Sequence, residues 1–519
     1  MARGSMFAEL PPLQEKVYQE FSGMNRRADK LSCPPNFYYD LLNGYLRKDS
    51  QSGFGFITQR AGSALFNSSA VSGFGSATPI RTLFEAQWSA GSKDIIIRSG
   101  TCWGKYDGSS TFTILDSGRT SDVVGQCVMF QNQLIMVDGG IPRLCTPAYA
   151  VSNLSADPNM PQDANAIWVH ADKVWMNSIS NPLKAYFSDT NNATTSTAWS
   201  DTGNAGYLDL STVLPIGDRI LGFKSMGGTT IMILVIVTTQ YLVLYLAGAD
   251  PTQFTLLKYI KLPVLADTGI SQLGADLIIA SQNEVTSIFN AYQNNDLETN
   301  GISQWIDPFY RSQVASLTNF QTQVAAVFDN VLNHWYITLG NNQTLVYSVD
   351  VQNFTGRWTY PYNIYAWCRR ANGTILAASD SYVYTMNTGS DDNGTAIPFT
   401  WTLPALYLDM PNRYKKFVEF ESMLQATASL TLTLTYWYDL ATEVSSYNTK
   451  TINITALSSL WDVALWDVSY WDQVGNVLYN TPDLVGRGRA IFIQLSHSTL
   501  DALLSIPWFV LRYNVEGRN

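Results

Sequence analysis

Seven times along this chain one local pattern returns: a short apolar run, a polar or glycine turn, then a second run that often carries an aromatic. "DIIIRSGTCWGKYDG" begins at Asp94, "NQLIMVDGGIPRLCT" at Asn132 and "DKVWMNSISNPLKAYFSD" at Asp172. "IMILVIVTTQYLVLYLA" begins at Ile231, "ADLIIASQNEVTSIFNAY" at Ala275, "NHWYITLGNNQTLVYSVD" at Asn333 and "GTILAASDSYVYTMNTG" at Gly373. Each reads as a β-hairpin, and successive hairpins start roughly 40–60 residues apart. Repeats of about 40–50 residues, each built as a small sheet, mark a β-propeller. One four-stranded sheet cannot bury both faces alone. A ring of such blades buries them against each other and leaves only short edges. The expectation is an all-β chain with a propeller of six to eight blades. Stacked β-sandwiches also produce hairpins and stay open as the alternative.

The most apolar stretch, Gly227 to Gly248, tests that reading. A membrane helix needs about 20 apolar residues, and here Thr238, Thr239 and Gln240 interrupt the run. Ile231, Ile233, Val235, Ile236, Val237 and Val243 are β-branched and favour strands. Each half has the length of one buried strand, with glycines at the ends. Two strands joined by a tight turn are expected, with no membrane-spanning segment.

Residues 1–60 hold more charge and read as an arm with a short helix. Residues 61–400 carry the hairpins. From 401 to 519 the texture changes: "LTLTLTYWYD" (Leu430 to Asp439) alternates strictly, as a half-buried strand does. A C-terminal antiparallel, sandwich-like β domain is expected there.

Only 14% of residues are charged and 13% are aromatic, against roughly 25% charged in an average globular protein. Such a surface suits contact with other protein. The net charge of -10 argues against a duplex-gripping surface, which draws its affinity from Lys and Arg on phosphates. Five widely spaced cysteines without a C-x-x-C read as reduced, mostly buried thiols.

Signals for chemistry are sparse. The three histidines, His170, His334 and His497, have no ligand-like spacing, and no H-E-x-x-H, P-loop or G-x-S-x-G occurs. "GFGSATP" at Gly73 reads as a turn. "SDDNGTAIP" at Ser390 reads as a hairpin turn on Asn393-Gly394 rather than a calcium loop. "GRGRA" at Gly486 is a basic spot that reads as an exposed turn. Neither a catalytic residue, a metal site nor a cofactor is expected. A glycan-cleaving propeller would need paired carboxylates or a sialidase-type cluster, and "SDTGNAG" at Ser200 falls short of the sialidase turn. In "WDVALWDVSYWDQVGN", Trp461, Trp466 and Trp471 recur every fifth residue, each before an Asp. They are the candidate partner-binding residues, because Trp is enriched at interface hot spots; packing within the C-terminal domain is the competing reading.

Three segments resemble the tail nozzle, or packaged-DNA stabilisation, proteins of short-tailed phages. "QEFSGMNRRADKLSCPPNFYYDLLNGYLRKDSQSGFGFITQRAGSALF" resembles their opening arm, with a Gly-Tyr-Leu segment leading to an Arg-x-Gly turn, here Arg60-Ala61-Gly62. "FTWTLPALYLDMPNRYKKFVEFES" resembles their propeller exit, and "GRGRAIFIQLSHSTLDALLSIPWFVLRYNVEGR" their last hairpin. The resemblance implies a non-enzymatic structural protein of the virion tail. Its members form a homohexamer ring below the portal and adaptor, extend the DNA channel, hold a needle or plug, and carry tail fibres or tailspikes. Genomic DNA would pass through without specific contact, and a negative ring would repel its phosphates. A glycan-degrading propeller enzyme and a receptor-binding adhesin are the competing functions.

Overall fold

The computed structural model describes residues 12–48, 55–72, 74, 79–120, 123–200, 204–227, 233–246, 254–274, 276–288, 300–340, 342–439, 447–454, 476–480 and 482–516. The chain divides into two compact units. One comprises Ser63–Leu345 and Tyr360–Met386; the other comprises Met1–Gly62, Val346–Thr359 and Asn387–Asn519.

The first unit is a β-propeller of seven blades. Five are four-stranded sheets of consecutive strands, spanning residues 80–116, 126–153, 167–209, 220–261 and 265–301. The sixth begins with Val324–Asp329, His334–Leu339 and Gln343–Ser348, where the chain passes out of this unit. The seventh holds Ala366–Arg369, Ile375–Ala378 and Val383–Met386. Its fourth strand comes from far upstream: Ser63–Leu65 pairs with it, Leu65 opposite Tyr384 and Ser63 opposite Met386. The first strands of the blades touch in cyclic order, and the seventh returns to the first. The seven hairpins of the sequence are the second and third strands of the seven blades. Blade number, open between six and eight from the repeats alone, is seven.

Both faces of a blade are buried, and the strand residues divide between them. In Ile233–Thr238, Ile233, Val235 and Val237 pack toward the fifth blade. Leu234 and Ile236, pointing the other way, pack toward the third. Likewise Ile95 and Ile97 join the cluster shared with the seventh blade, while Ile96 faces the second. Alternate side chains of a strand point to opposite faces, so a strand covered on both sides must be apolar at every position. That explains the stretch after Gly227 without a membrane. Val237 pairs with Leu242 across the turn at Thr239-Gln240. The Asp218 carboxylate accepts from the Thr238 hydroxyl at 2.7 Å and the Thr239 amide at 2.9 Å, fastening the turn. No helix of the described residues is long and apolar enough to cross a membrane.

The second unit is also β. One sheet centres on two long strands, Lys415–Ala426 and Leu504–Val515, with the hairpin Gly44–Lys48 and Gly55–Gln59 beside the latter. Gln14–Tyr18 pairs along the same strand, Gln14 opposite Tyr513. The other sheet orders Asn353–Thr359, Asp40–Leu42, Phe399–Thr402, Ile491–His497, Leu430–Tyr438 and Asn448–Ile454. An aromatic contact joins the two: Trp401 lies edge-on to Phe509, ring centres 5.8 Å apart, and within the first sheet Phe420 stacks on Phe509 at 5.4 Å. Leu430, Leu432, Leu434 and Tyr436 are buried while Thr431 is exposed, as the alternation requires. Residues 1–60, read from sequence as an arm with a short helix, instead contribute strands to the same unit as the C-terminal region, and their described part holds no helix.

Candidate functional site

The inner strands place their side chains around the propeller axis, where three cavities of about 290, 440 and 360 Å³ lie. The first and third share Phe84, Trp168, Lys224 and Trp367, from blades one, three, four and seven. The first and second share Gln126 and Asp267. These two form a brace: the Gln126 Nε2 donates to Asp267 Oδ2 at 2.7 Å. Lys224 Nζ donates to the same oxygen at 2.9 Å. Gln126 Oε1 accepts from the Ile167 amide at 2.9 Å. Blades two, three, four and five are thus tied together at the axis. The other Asp267 oxygen packs against Gly222, where a Cβ would stand 1.9 Å from it, so the close approach requires glycine.

The two indoles are fixed by their own N–H groups. Trp168 Nε1 donates to Ser225 Oγ at 2.8 Å, and that hydroxyl also meets His170 Nδ1 at 2.8 Å. Burial lowers the His170 pKa to about 4, so its ring is neutral at physiological pH. Trp367 Nε1 donates to Thr338 Oγ1 at 3.0 Å. Their N–H groups hold both ring planes, and Trp168 packs against the apolar cluster between blades three and four. Lys224 Nζ sits 5.3 Å from the Trp168 centroid, within cation–π range, and Arg81 lies 5.1 Å over Tyr365.

Among the described residues two carboxylates line these spaces, and each is already committed. Asp267 is bound as described. Asp138, on the 440 Å³ cavity, accepts from Arg98 Nε and Trp103 Nε1, both at 3.1 Å, and is paired to Arg119. Burial pushes the Asp138 carboxyl up, but Arg119 and Arg98 more than offset that and hold it below its ordinary value. Among the described residues no group of three or more His, Cys, Asp or Glu could hold a metal ion. All five cysteines are unpaired and buried. Burial raises Cys368 to about 12 and Cys145 to about 11, so neither is a thiolate nucleophile at neutral pH.

A second polar constellation lies in the other unit, at the Arg-x-Gly turn. Arg60 is fully buried and paired with Asp392, which is 2% exposed. Its Nε donates to Asn43 Oδ1 at 3.0 Å and its Nη2 to the Thr359 carbonyl at 2.8 Å. Asn43, at φ +53°, donates in turn to Thr359 Oγ1 at 3.1 Å and to the Pro398 carbonyl at 2.8 Å. A Cβ on Gly62 would stand 1.8 Å from the Asp391 carbonyl, which explains the glycine. The segment after Ser390 does form the expected hairpin turn. Asn393 and Gly394 take φ of 50° and 83°, and Asp392 bridges to Thr395.

Trp461, Trp466 and Trp471 lie outside the described residues, as does most of the loop at Gly73. Of "GRGRA", Arg487–Gly488 forms a two-residue strand against Lys415 and Lys416. Its glycines admit the Tyr438 ring, which a Cβ at Gly486 would meet at 2.2 Å. The residues sequence reasoning missed are Gln126, Trp168, Lys224, Asp267 and Trp367. Their one signal was position: each sits in the strand just before a hairpin, where a propeller's innermost strand must be.

No protein-family model matches the chain, and no curated protein matches it. Solved structures do. The WD40 domain of Neurospora crassa Pan2 aligns at 11% identity and TM-score 0.41, over 64% of this chain and 96% of that one. A streptogramin B lyase aligns at 11% and 0.40, over 64% and 97%. The extracellular domain of a B. thetaiotaomicron one-component system aligns at 14% and 0.43, over 66% of this chain but only 41% of that protein. At such identities and scores these likenesses carry nothing about what this chain does.

Proposed function

We propose that this chain is a structural subunit of a short-tailed phage tail: the nozzle, or hub, that extends the DNA channel below the portal and adaptor. One observation carries the reading. Of the three segments that resemble nozzle proteins, 19–66 lies more than 300 residues upstream of 399–422 and 486–518, yet almost all of the three falls in one two-sheet unit. The Arg60-x-Gly62 turn sits there as a buried polar knot. Shared landmarks that meet in space and hold a unit together are what a common architecture would retain. The low charge, 14% of residues, suits a subunit whose flanks meet copies of itself, since interface cores are depleted of charge.

In this reading the chain assembles as a homohexamer in the virion tail. It meets the adaptor ring and a fibre or tailspike, and surrounds passing DNA without gripping it. The glycan-cleaving alternative needs two carboxylates free to act as acid and base or nucleophile, and the two lining the axial cavities are held by Lys224, Arg98 and Arg119. The deciding experiment is negative-stain imaging of the purified chain with its candidate adaptor ring. Sixfold rings on the adaptor are expected. A subunit that stays solitary on the adaptor and releases reducing sugar from host polysaccharide would overturn the reading.

A further inference from the structure

The proposed nozzle role makes no use of the fixed indoles on the propeller axis. We propose that the joined axial cavities around Trp168 and Trp367 bind an acidic sugar unit, a pyranose ring bearing a carboxylate. Four observations lead there. The spaces, about 290 and 360 Å³ with six lining residues in common, reach the lower end of the small-ligand range. Their walls are flat: Trp168, Trp367 and Phe84, with both indole planes held by hydrogen bonds from their N–H groups. A pre-set aromatic face takes the apolar face of a ring without ordering cost on the protein side. The charged lining is unbalanced: among the described residues Lys224 pairs with Asp267, and Arg81 and Arg369 add two further positive charges. An anion is therefore drawn in, although the whole chain carries -10. Gln272, with Arg369 on the wall of the 360 Å³ space, adds a neutral amide suited to a hydroxyl.

The site is built before any ligand arrives. Ser225 fixes Trp168, Thr338 fixes Trp367, and the Gln126–Asp267–Lys224 brace sets the ammonium beside the Trp168 face. Trp168 is thereby covered on one side by Lys224, and Trp367 and Phe84 complete the aromatic wall. The acid group would reach Arg369.

The test is isothermal calorimetry with the full-length chain and four probes: glucuronic acid, N-acetylneuraminic acid, neutral glucose and uridine monophosphate. Binding of one of the acidic sugars, with glucose weaker by about tenfold or more, is expected from the loss of a charge-assisted hydrogen bond. Trp367→Ala should abolish the binding. Arg369→Glu changes an exposed side chain and so keeps the fold, which circular dichroism checks; it should weaken the acidic sugar about tenfold and leave glucose unchanged. Equal affinity for glucose, binding of uridine monophosphate alone, no binding of any probe, or unchanged affinity in the folded Arg369→Glu chain would each overturn the proposal. None of these outcomes touches ring formation on the adaptor, so the two readings fail separately.

Discussion

The two units are built from the same kind of strand and differ in how their segments come together. In the propeller, neighbours in space are mostly neighbours in sequence. Each blade is a run of consecutive strands, and the apolar clusters lie between one blade and the next. In the other unit, the strands come from residues 14–59, 353–359 and 399–515. Its segments are joined by a buried ion pair, Arg60 with Asp392, and by carbonyls that Asn43 and Gln59 satisfy. The difference teaches how each resists damage. A core of interchangeable apolar contacts loses stability in proportion to the area removed. A polar knot fails when one member goes, because its partner is left charged and buried.

The largest expected effect follows from that. Arg60→Met should destabilise the two-sheet unit by about 3–5 kcal/mol, read as a lower urea midpoint on a probe in that unit. Arg60→Met with Asp392→Leu should recover much of the loss. If the single variant unfolds at the wild-type midpoint, the knot is not what holds this unit. In the propeller, Ile236→Ala should cost about 2–5 kcal/mol and Ile236→Val about 0.5–1.5 kcal/mol. A graded series would match a core of additive contacts, and equal losses would break the contrast.

Acid sharpens the comparison further. Buried His170 in the propeller and His497 in the other unit both have pKa values lowered by burial to about 4, from 6.5. His497 Nδ1 accepts from the Thr499 amide at 3.4 Å, which only the neutral ring can do, while Nε2 faces Gln59 Oε1 at 2.9 Å. The neutral form is favoured in the folded state, so its contribution is complete above pH 6.5 and is lost as pH falls toward 4. His497→Gln should flatten the acid limb of the two-sheet unit by roughly 2–3 kcal/mol between those values and leave the propeller's limb in place. An unchanged limb in both would remove His497 as a source of acid sensitivity. The smallest effect belongs to the turn: Gly394→Ala, at φ +83°, should cost roughly 1–2 kcal/mol, visible as a modest drop in melting temperature.

Each second and third strand of a blade, and the tight turn between them, was legible because its information is local. Apolar runs of strand length, β-branched content and turn residues all lie within one stretch. The interruption at Thr238-Thr239-Gln240 identified a hairpin by residues that touch each other. Some propeller turns gave no such sign: Ala171 and Asp172 turn at φ of 51° and 57° without a glycine. The strand Ser63–Leu65 could not be placed from sequence either, since its partner lies about 320 residues downstream.

The chain's own order of residues determined that it would be all β, that its apolar run would form paired strands, and that seven hairpins would repeat. Those outcomes depend on side-chain shape and alternation over a few residues. Only the tertiary structure decided that Arg60 meets Asp392, that the chain's two ends share one unit, and that Trp168, Lys224 and Trp367 surround one space. Such contacts join residues far apart in sequence, and their strength comes from burial and exclusion of water, which exist only once the whole fold has closed around them.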